Sequence, residues 1–472
     1  MQKQRNCAKL PFQLIRNRGN TLFPRKRTLL LTRGGITLLS DLRGAFNDRF
    51  NEKQYRELLS RLDAASGTKI EFRVAETPVF LPLALLEEMA SAGIRLTERL
   101  LAWPEYLAAA RRSIPGKFLV AGKTGHPNFL TADFALIRDS EGALTPRLVE
   151  LQAFPSVYAY QALLNQEYAE VYGLPDSLGV FLGGLTEDAF WTLLRQTVVG
   201  DQAPENVVLT EVDPLNQKTL PDFLLTTGRL GISVVDITSL IPIGNKLHYR
   251  NAMGKLVPIH RIYNRAIADE MIARKIELPF DITASWDVEW AGHPNWYFLI
   301  SKYSVPWLSC PESIGKTEIN SPEKAQLGDP VVPPAVFLND FLEGNGSEKL
   351  IEAGVLLPHG DSAEVIYEDL LLKPLFSFAG KGIQFAPSRP DLLAIPKDRR
   401  GDFLLQQRMQ FVPTIDTPHG LTQAEVRILY LWPDGGELQP ALSLVRLGRG
   451  KMMGVDHNKN QQWVGASAAF WR

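Results

Sequence analysis

The sequence predicts an α/β protein built of α+β lobes, and three observations predict it. Between residues 178 and 237, strand-like runs alternate with amphipathic helices, the order expected of βαβ units and a parallel layer. Ahead of that layer, FLTADFALI (129–137) and RLVELQAF (147–154) flank the turn-rich DSEGALTP and read as a β-hairpin. Residues 41–115 show helical spacing instead.

Taken in order, residues 1–40 form a basic tail with nine Lys and Arg and no acid. In QYRELLSRL (54–62), Tyr55, Leu58, Leu59 and Leu62 share one helical face, and a second helical region runs from about Leu83 to Ser113 with a break near Pro104. The hairpin and a helix carrying Leu164, Tyr168 and Val171 in register fill 116–177. The layer at 178–309 opens with strand LGVFLGGL (178–185). A helix capped by Thr186 follows, with Phe190, Leu193 and Leu194 on its apolar face. Strand NVVLTEV (206–212), helix TLPDFLLTTGRLG (219–231) and strand ISVVDI (232–237) continue it. No GxGxxG follows the first strand, so the layer reads as scaffold and not as a dinucleotide site. Residues 310–335, rich in Ser, Glu, Lys and Pro, read as a linker. The strand-rich remainder, 336–472, contains VIYEDLLLKPLFSFAGKGIQF, FLLQQRMQFVP, EVRILYLW and LSLVRLGRGKMMGV.

Composition sets limits. The formal charge of −1 is a cancellation between the +9 tail and a body of −10, which argues against a dedicated nucleic-acid binder. Two cysteines, Cys7 and Cys310, cannot build a disulfide framework, and a reducing, cytoplasmic setting is expected. No run approaches the roughly 18 apolar residues of a membrane-spanning helix. For the tail, a targeting segment, a flexible extension and an over-long start all stay open.

Two segments carry chemistry. In LLLKPLFSFAGKGIQF, a strand ends at Lys373 and a loop follows with Ser377, Gly380, Lys381 and Gly382. A strand-end lysine reaches phosphate as a point charge, and glycines let backbone N–H groups close on anions. An ordinary hairpin with a solvated lysine is the competing reading. On the earlier hairpin, Glu150 and Gln152 project to one face and antiparallel pairing brings Asp133 beside them. Two carboxylates and an amide oxygen suit Mg²⁺, with a solvated acidic face as the alternative. Asp456, His457, Asn458 and Asn460 form a late cluster that reads as turn residues, with a competing metal site as the other possibility. The aromatic stretch WDVEWAGHPNWYF (286–298) reads as core packing.

With these residues in place, the chain resembles the circularly permuted ATP-grasp ligases, the group that includes glutathionylspermidine synthase. The Asp133 and Glu150-x-Gln152 hairpin resembles that family's metal-binding hairpin, and Lys373-Pro374 with Phe376–Gly382 resembles its strand and glycine-rich loop. Lys302 in YFLISKYSVPWL, the strand LLQQRM (404–409), Arg446 in LVRLGRG and IHRIYNR (259–265) resemble further motifs in the same order, over roughly residues 115–472. Gln152 stands where the family has Asn, and Thr131 where it often has Arg.

The resemblance implies an ATP- and Mg²⁺-dependent ligase that joins a carboxylate, on a small molecule or peptide, to an amine through an acyl phosphate. It implies Mg²⁺ on Asp133, Glu150 and Gln152, and the α/β phosphates on Lys302 and Lys373. The Ser377–Gly382 loop would lie over the β/γ phosphates, adenine at Gln406 and Gln407, and the transferred phosphoryl group at Arg446. Arg265 and Arg427 are further candidates for an acidic substrate. A phosphotransferase on the same scaffold and a non-catalytic nucleotide-binding protein stay open beside the ligase, as does the oligomeric state.

Overall fold

The computed structural model describes residues 38–122, 124–309, 329–344, 350, 355, 367–377, 380–454, 458 and 460–472. The basic tail up to residue 37, most of the linker, Cys7, Cys310, Asp456 and His457 lie outside the described residues.

Helices open the chain as their spacing predicts. α1 (Ser40–Arg49) leads to α2 (Glu52–Ser66), which Asn51 caps by accepting from the N–H groups of Lys53 and Gln54 at 2.9 and 3.3 Å. Tyr55, Leu58 and Leu62 are buried on its inner face. α3 (Leu83–Leu101) and α4 (Pro104–Arg112) are separated where Pro104 takes the first helical position, the one place its missing N–H costs nothing. This region is not wholly helical, because β1 (Val79–Leu81) runs parallel to the last strand, β17 (Gly465–Trp471).

The main sheet has six strands in the order β1–β17–β16–β15–β2–β3, adding β2 (Phe129–Arg138), β3 (Leu144–Gln152), β15 (Gln423–Leu431) and β16 (Gln439–Gly448). The predicted hairpin is β2–β3, and β2 pairs antiparallel with β15 from Phe129↔Leu431 to Ala135↔Glu425. The link is shorter than predicted. The Asp139 carboxylate accepts from the N–H groups of Glu141 and Ala143, closing the bend so that β3 starts at Leu144. A register shift at Asp133/Phe134 leaves Val149 as the extra residue of a bulge, a device that re-aims side chains beside it. Both faces of β15 are buried. Ile428 and Tyr430 join one core cluster with α3, while Leu429 and Leu431 join another with the residues of α6 (Glu187–Val198).

α3 lies close on β15 through Gly93. The Tyr430 hydroxyl is 3.0 Å from the Ala90 carbonyl and 3.2 Å from that of Met89, and a Cβ on Gly93 would meet its oxygen at 2.1 Å. Gly93→Ala is therefore expected to cost about 1–3 kcal/mol through overpacking, read as a lower denaturant midpoint. An unchanged midpoint contradicts this contact.

α5 (Tyr158–Tyr172) buries Leu164, Tyr168 and Val171 as predicted. α6 starts on Thr186, whose hydroxyl accepts from Ala189 N, and α7 (Leu220–Leu230) ends on left-handed Gly231. The parallel layer runs β10–β9–β4–β5: β4 (Val207–Glu211), β5 (Ser233–Asp236), β9 (Arg261–Asn264) and β10 (Glu289–Ala291). Its predicted first strand, 178–185, is not part of it. That segment makes only isolated bridges, Gly179 to Trp471 and Phe181 to Leu442, before Gly183 and Gly184 turn the chain at positive φ. The Trp471 ring covers Gly179 at a distance that leaves no room for a Cβ. A small three-stranded sheet, β6 (Ile241–Ile243), β7 (Lys246–Arg250) and β8 (Leu256–Pro258), follows β5.

The last sheet runs β11–β14–β12–β13, from β11 (Ala335–Phe337), β12 (Leu370–Pro374), β13 (Gln384–Phe385) and β14 (Phe403–Gln407), with its pairs antiparallel. Leu370 and Leu372 pack with Leu338, Phe341 and Leu405 on one side. Leu371 and Lys373 point the other way, into a cleft. Among the described residues, no helix is long and apolar enough to cross a membrane.

Candidate functional site

The six-stranded sheet, the β11–β14 sheet and the carboxyl ends of β4 and β9 line one cleft of about 1720 Å³. Strands from both sheets and one helix start bring the predicted residues to it. β2 and β3 present Asp133, Glu150 and Gln152, with Asp133 opposite Glu150 and Thr131 opposite Gln152. β12 carries Lys373 as its next-to-last residue, and Lys302 arrives just before the short helix Ser304–Leu308. β16 supplies Arg446.

Within the cleft the charges alternate. Arg427 on β15 stands opposite Asp133 and grips it with two hydrogen bonds, Nε to Oδ1 at 2.5 Å and Nη2 to Oδ2 at 2.7 Å. Arg446 adds a third, Nη2 to Oδ2 at 2.5 Å. Burial alone would raise the Asp133 carboxyl, but the two guanidinium charges outweigh it and hold the group below the usual carboxylate range. Arg446 Nε lies 2.9 Å from Glu425 Oε1, off the N–H direction, so this contact is an ion pair without hydrogen-bond geometry. Burial pushes the Glu425 carboxyl up.

Lys302 lies 3.2 Å from Glu150 Oε1 and donates to the Ser377 carbonyl, so it ties β3 to the glycine loop. Lys373 is only 4% exposed and forms no hydrogen bond or ion pair among the described residues. Burial, and then the neighbouring Lys302 charge, bring its ammonium down to about 8 against the pull of Glu150. An uncompensated buried cation is costly unless something anionic joins it.

Both loop glycines are favoured by φ, and Gly382 is held by space as well, since the Pro374 ring is rigid whereas the Met452 methyl beside Gly380 can move. Gly380 and Gly382 have φ of 73° and 79°, and a Cβ on them would meet Met452 Cε at 2.1 Å and Pro374 Cγ at 2.8 Å. Ser377, Gly380, Lys381 and Gly382 all line the cleft; residues 378 and 379 lie outside the described residues.

Gln406 and Gln407 are placed differently from the expectation. Neither is on the cleft wall, which is formed at that point by Arg408, Met409, Gln410 and Phe411. Gln406 stands opposite Leu371 in the middle of its sheet, is 1% exposed, and leaves both amide atoms without a partner.

Arg265 is a buried and Arg427 a half-buried ion-pair partner, and neither is a free cation. Arg265 bonds Asp222 at 2.7 Å and the Ser156 carbonyl at 3.0 Å. Asn458 holds a turn, donating to the Met452 and Gly454 carbonyls, as the turn reading of that cluster expects. Trp290, Trp296, Tyr297 and Phe298 are core residues. Glu425 was not among the sequence candidates. Its signal is the polar pair Glu425-x-Arg427 on one face of an otherwise apolar strand.

The oxygen donors fit a divalent cation in part. Among the described residues, no group of three or more His, Cys, Asp and Glu side chains can hold a metal. Glu150 and Gln152 share a face and reach the cleft, whereas both Asp133 oxygens are already taken by arginine N–H groups.

Known proteins place the fold. No protein-family model matches the chain, and no curated protein matches its sequence. Among solved structures, it is similar to a glutathione synthetase-like effector from Globodera pallida in its apo form. That match is at 9% identity and a TM-score of 0.51, covering 89% of this chain and 96% of that one. What they share is the fold. A protein described as a candidate gamma-glutamylcysteine synthetase from Methylobacillus flagellatus KT aligns at 12% identity over 83% of this chain and 89% of that one. Its TM-score of 0.37 is too low to add to the argument.

Proposed function

We propose that the chain is an ATP- and Mg²⁺-dependent, ADP-forming carboxylate–amine ligase on a circularly permuted ATP-grasp fold, working in the cytoplasm on a small-molecule or peptide carboxylate. The observation that carries this reading is the convergence of Lys302, Lys373, Arg427 and Arg446 on one cleft between the six-stranded sheet and the β11–β14 sheet, beside Glu150 and Gln152. Four cations against Asp133, Glu150 and Glu425 leave a positive excess suited to a polyphosphate. The pairing of an early hairpin, β2–β3, with the late strand β15 supports the permuted order. The fold shared with a glutathione synthetase-like effector agrees with it.

Lys302 and Lys373 hold the α/β phosphates, and binding gives Lys373 the counter-charge it lacks. Ser377, Gly380, Lys381 and Gly382 lie against the β/γ phosphates and keep water from an acyl phosphate. Gln406 and Gln407 lead to the adenine edge, which the following residues Arg408–Phe411 complete. Glu150 and Gln152 would hold Mg²⁺, which shields phosphate charge when bound. Arg446 faces the transferred phosphoryl group, where fixed positive charge stabilises the developing negative charge. A carboxylate oxygen attacks Pγ and ADP leaves. The amine then attacks the acyl carbon, phosphate leaves, and the amine proton goes to solvent.

ADP release from pooled carboxylates and amines tests the reading. Release that requires both components is expected. A stable phosphorylated product with no amine requirement, or ATP binding without turnover in any mixture, contradicts it. A pH dependence follows from Lys373. Its ammonium loses the proton as pH rises through about 8, and ATP favours the protonated form. ATP affinity measured calorimetrically is therefore expected to be flat below that pH and to fall above it, by at most about tenfold per pH unit.

A further inference from the structure

The four charged side chains at the centre of the cleft form a chain across three adjacent strands. Asp133 on β2 faces Arg427 on β15. Glu425, two residues earlier on the same face of β15, faces Arg446 on β16. Arg446 reaches across to touch both acids, at 2.5 Å to Asp133 and 2.9 Å to Glu425. Strand register thus fixes the order acid, guanidinium, acid, guanidinium, and the bidentate grip on Asp133 sets the plane of Arg427. Asp133 is 3% exposed and each of its oxygens already accepts from a guanidinium N–H. A divalent cation on Asp133 would have to displace an arginine and then sit beside it, with like charges in contact in a buried site.

We propose that Asp133 is a positioning residue and not a metal ligand: together with Glu425 it locks Arg427 and Arg446 side by side into one anion-binding edge at the phosphoryl-transfer end of the cleft. This rests on the ligase reading, and it leaves the metal to Gln152 and to Glu150, whose Oε1 is paired with Lys302 at 3.2 Å while no partner engages Oε2 among the described residues. An arginine otherwise loses rotamer freedom each time it meets a phosphate, and a carboxylate that holds two of them in place beforehand removes that cost from the reaction. Arg427 becomes the second guanidinium of the site. The one negative charge that Asp133 contributes is offset by Lys302 and Lys373, which line the same cleft.

Two titrations on the full chain test this without relying on turnover. In the first, Mn²⁺ alone is followed by EPR in wild type, Asp133→Asn and Glu150→Gln. Glu150→Gln should lose at least tenfold in Mn²⁺ affinity while Asp133→Asn stays within about twofold. Equal losses in the two variants overturn the proposal. If Asp133→Asn does not fold, the double variant Glu150→Gln/Gln152→Ala, which keeps Asp133, should lose Mn²⁺ binding altogether. Near-wild-type binding there would put the metal on Asp133.

In the second titration, inorganic pyrophosphate is followed calorimetrically with EDTA present. Arg427→Gln and Arg446→Gln should each weaken binding at least tenfold. Failure of the wild type to bind, or unchanged binding in Arg427→Gln, overturns the shared edge. In turnover, Asp133→Asn should lower kcat with KM for ATP and the Mg²⁺ requirement unchanged, a split that a general loss of structure does not give. A protein that makes no ADP in any mixture sinks the ligase reading, while the two titrations still read Asp133 and Arg427.

Discussion

Lys373→Met is expected to cut ATP turnover by about 10²–10³-fold, the loss typical of removing one preorganised charge donor from a transition state, while making the folded protein more stable. The two effects have one cause. Lys373 sits at the end of β12 with no acid at ion-pair distance, and burial lowers its ammonium from 10.5 to about 8. A base whose folded-state pKa lies below its unfolded value costs stability when both states are protonated, and the cost fades as pH rises from the folded pKa to the unfolded one. At neutral pH that cost is about 3 kcal/mol as an order of magnitude, and methionine keeps the stem's volume without it. The melting temperature of Lys373→Met should therefore exceed that of the wild type by a few degrees at pH 7, and the gap should narrow towards pH 10. Lower activity with higher stability is the pattern of a strained functional site. Lower activity with lower stability would mean that Lys373 is a structural residue.

Asp222→Ala is expected to have the largest effect on stability, about 3–5 kcal/mol, because it leaves a buried guanidinium without its counter-charge. The side chains of Arg265 and Asp222 are 5% and 1% exposed and 2.7 Å apart. Asp222 also accepts from Tyr160 N at 3.1 Å, so it joins α7 to α5 and to the end of β9. Arg265 Nε already lacks a partner, and the hydrogen bonds left to the group among the described residues would be those to the Ser156 carbonyl and the Tyr263 hydroxyl. Denaturant unfolding reads the loss. Arg265→Met combined with Asp222→Leu should recover much of it, since apolar pairs replace buried ion pairs at little cost. A single variant within 1 kcal/mol of wild type would mean that water reaches the pair.

Much of the fold was legible because it rests on local signals. Thr186 before an amphipathic run, the hairpin around Asp139, and the break at Pro104 each act over a few residues. The misreading at 178–185 has the opposite origin. LGVFLGGL has strand composition, yet its bridge partners, Trp471 and Leu442, lie far along the chain, and only that packing decides which sheet it joins. β9 and β10 were missed for a related reason: they are four and three residues long, and the pairing of β9 with β4 and of β10 with β9 is invisible to periodicity.

The site was legible in composition more than in roles. Asp133, Glu150, Gln152, Lys302, Lys373 and Arg446 do line one cleft, whereas Gln406 is packed inside its sheet. The role of Asp133 could not be read from its own segment, because the arginines that engage it lie 294 and 313 residues further along the chain. Spacing on one hairpin suggests a metal ligand; the strand brought alongside it supplies the counter-ions.

In the proposed reaction a carboxylate is activated by phosphorylation in this cleft. With the carboxylate substrate that supports ADP release labelled with ¹⁸O, the oxygen that attacks Pγ leaves with the phosphate when the amine displaces it. Mass spectrometry of the released phosphate should find one ¹⁸O per turnover, and phosphate released without label would contradict the account.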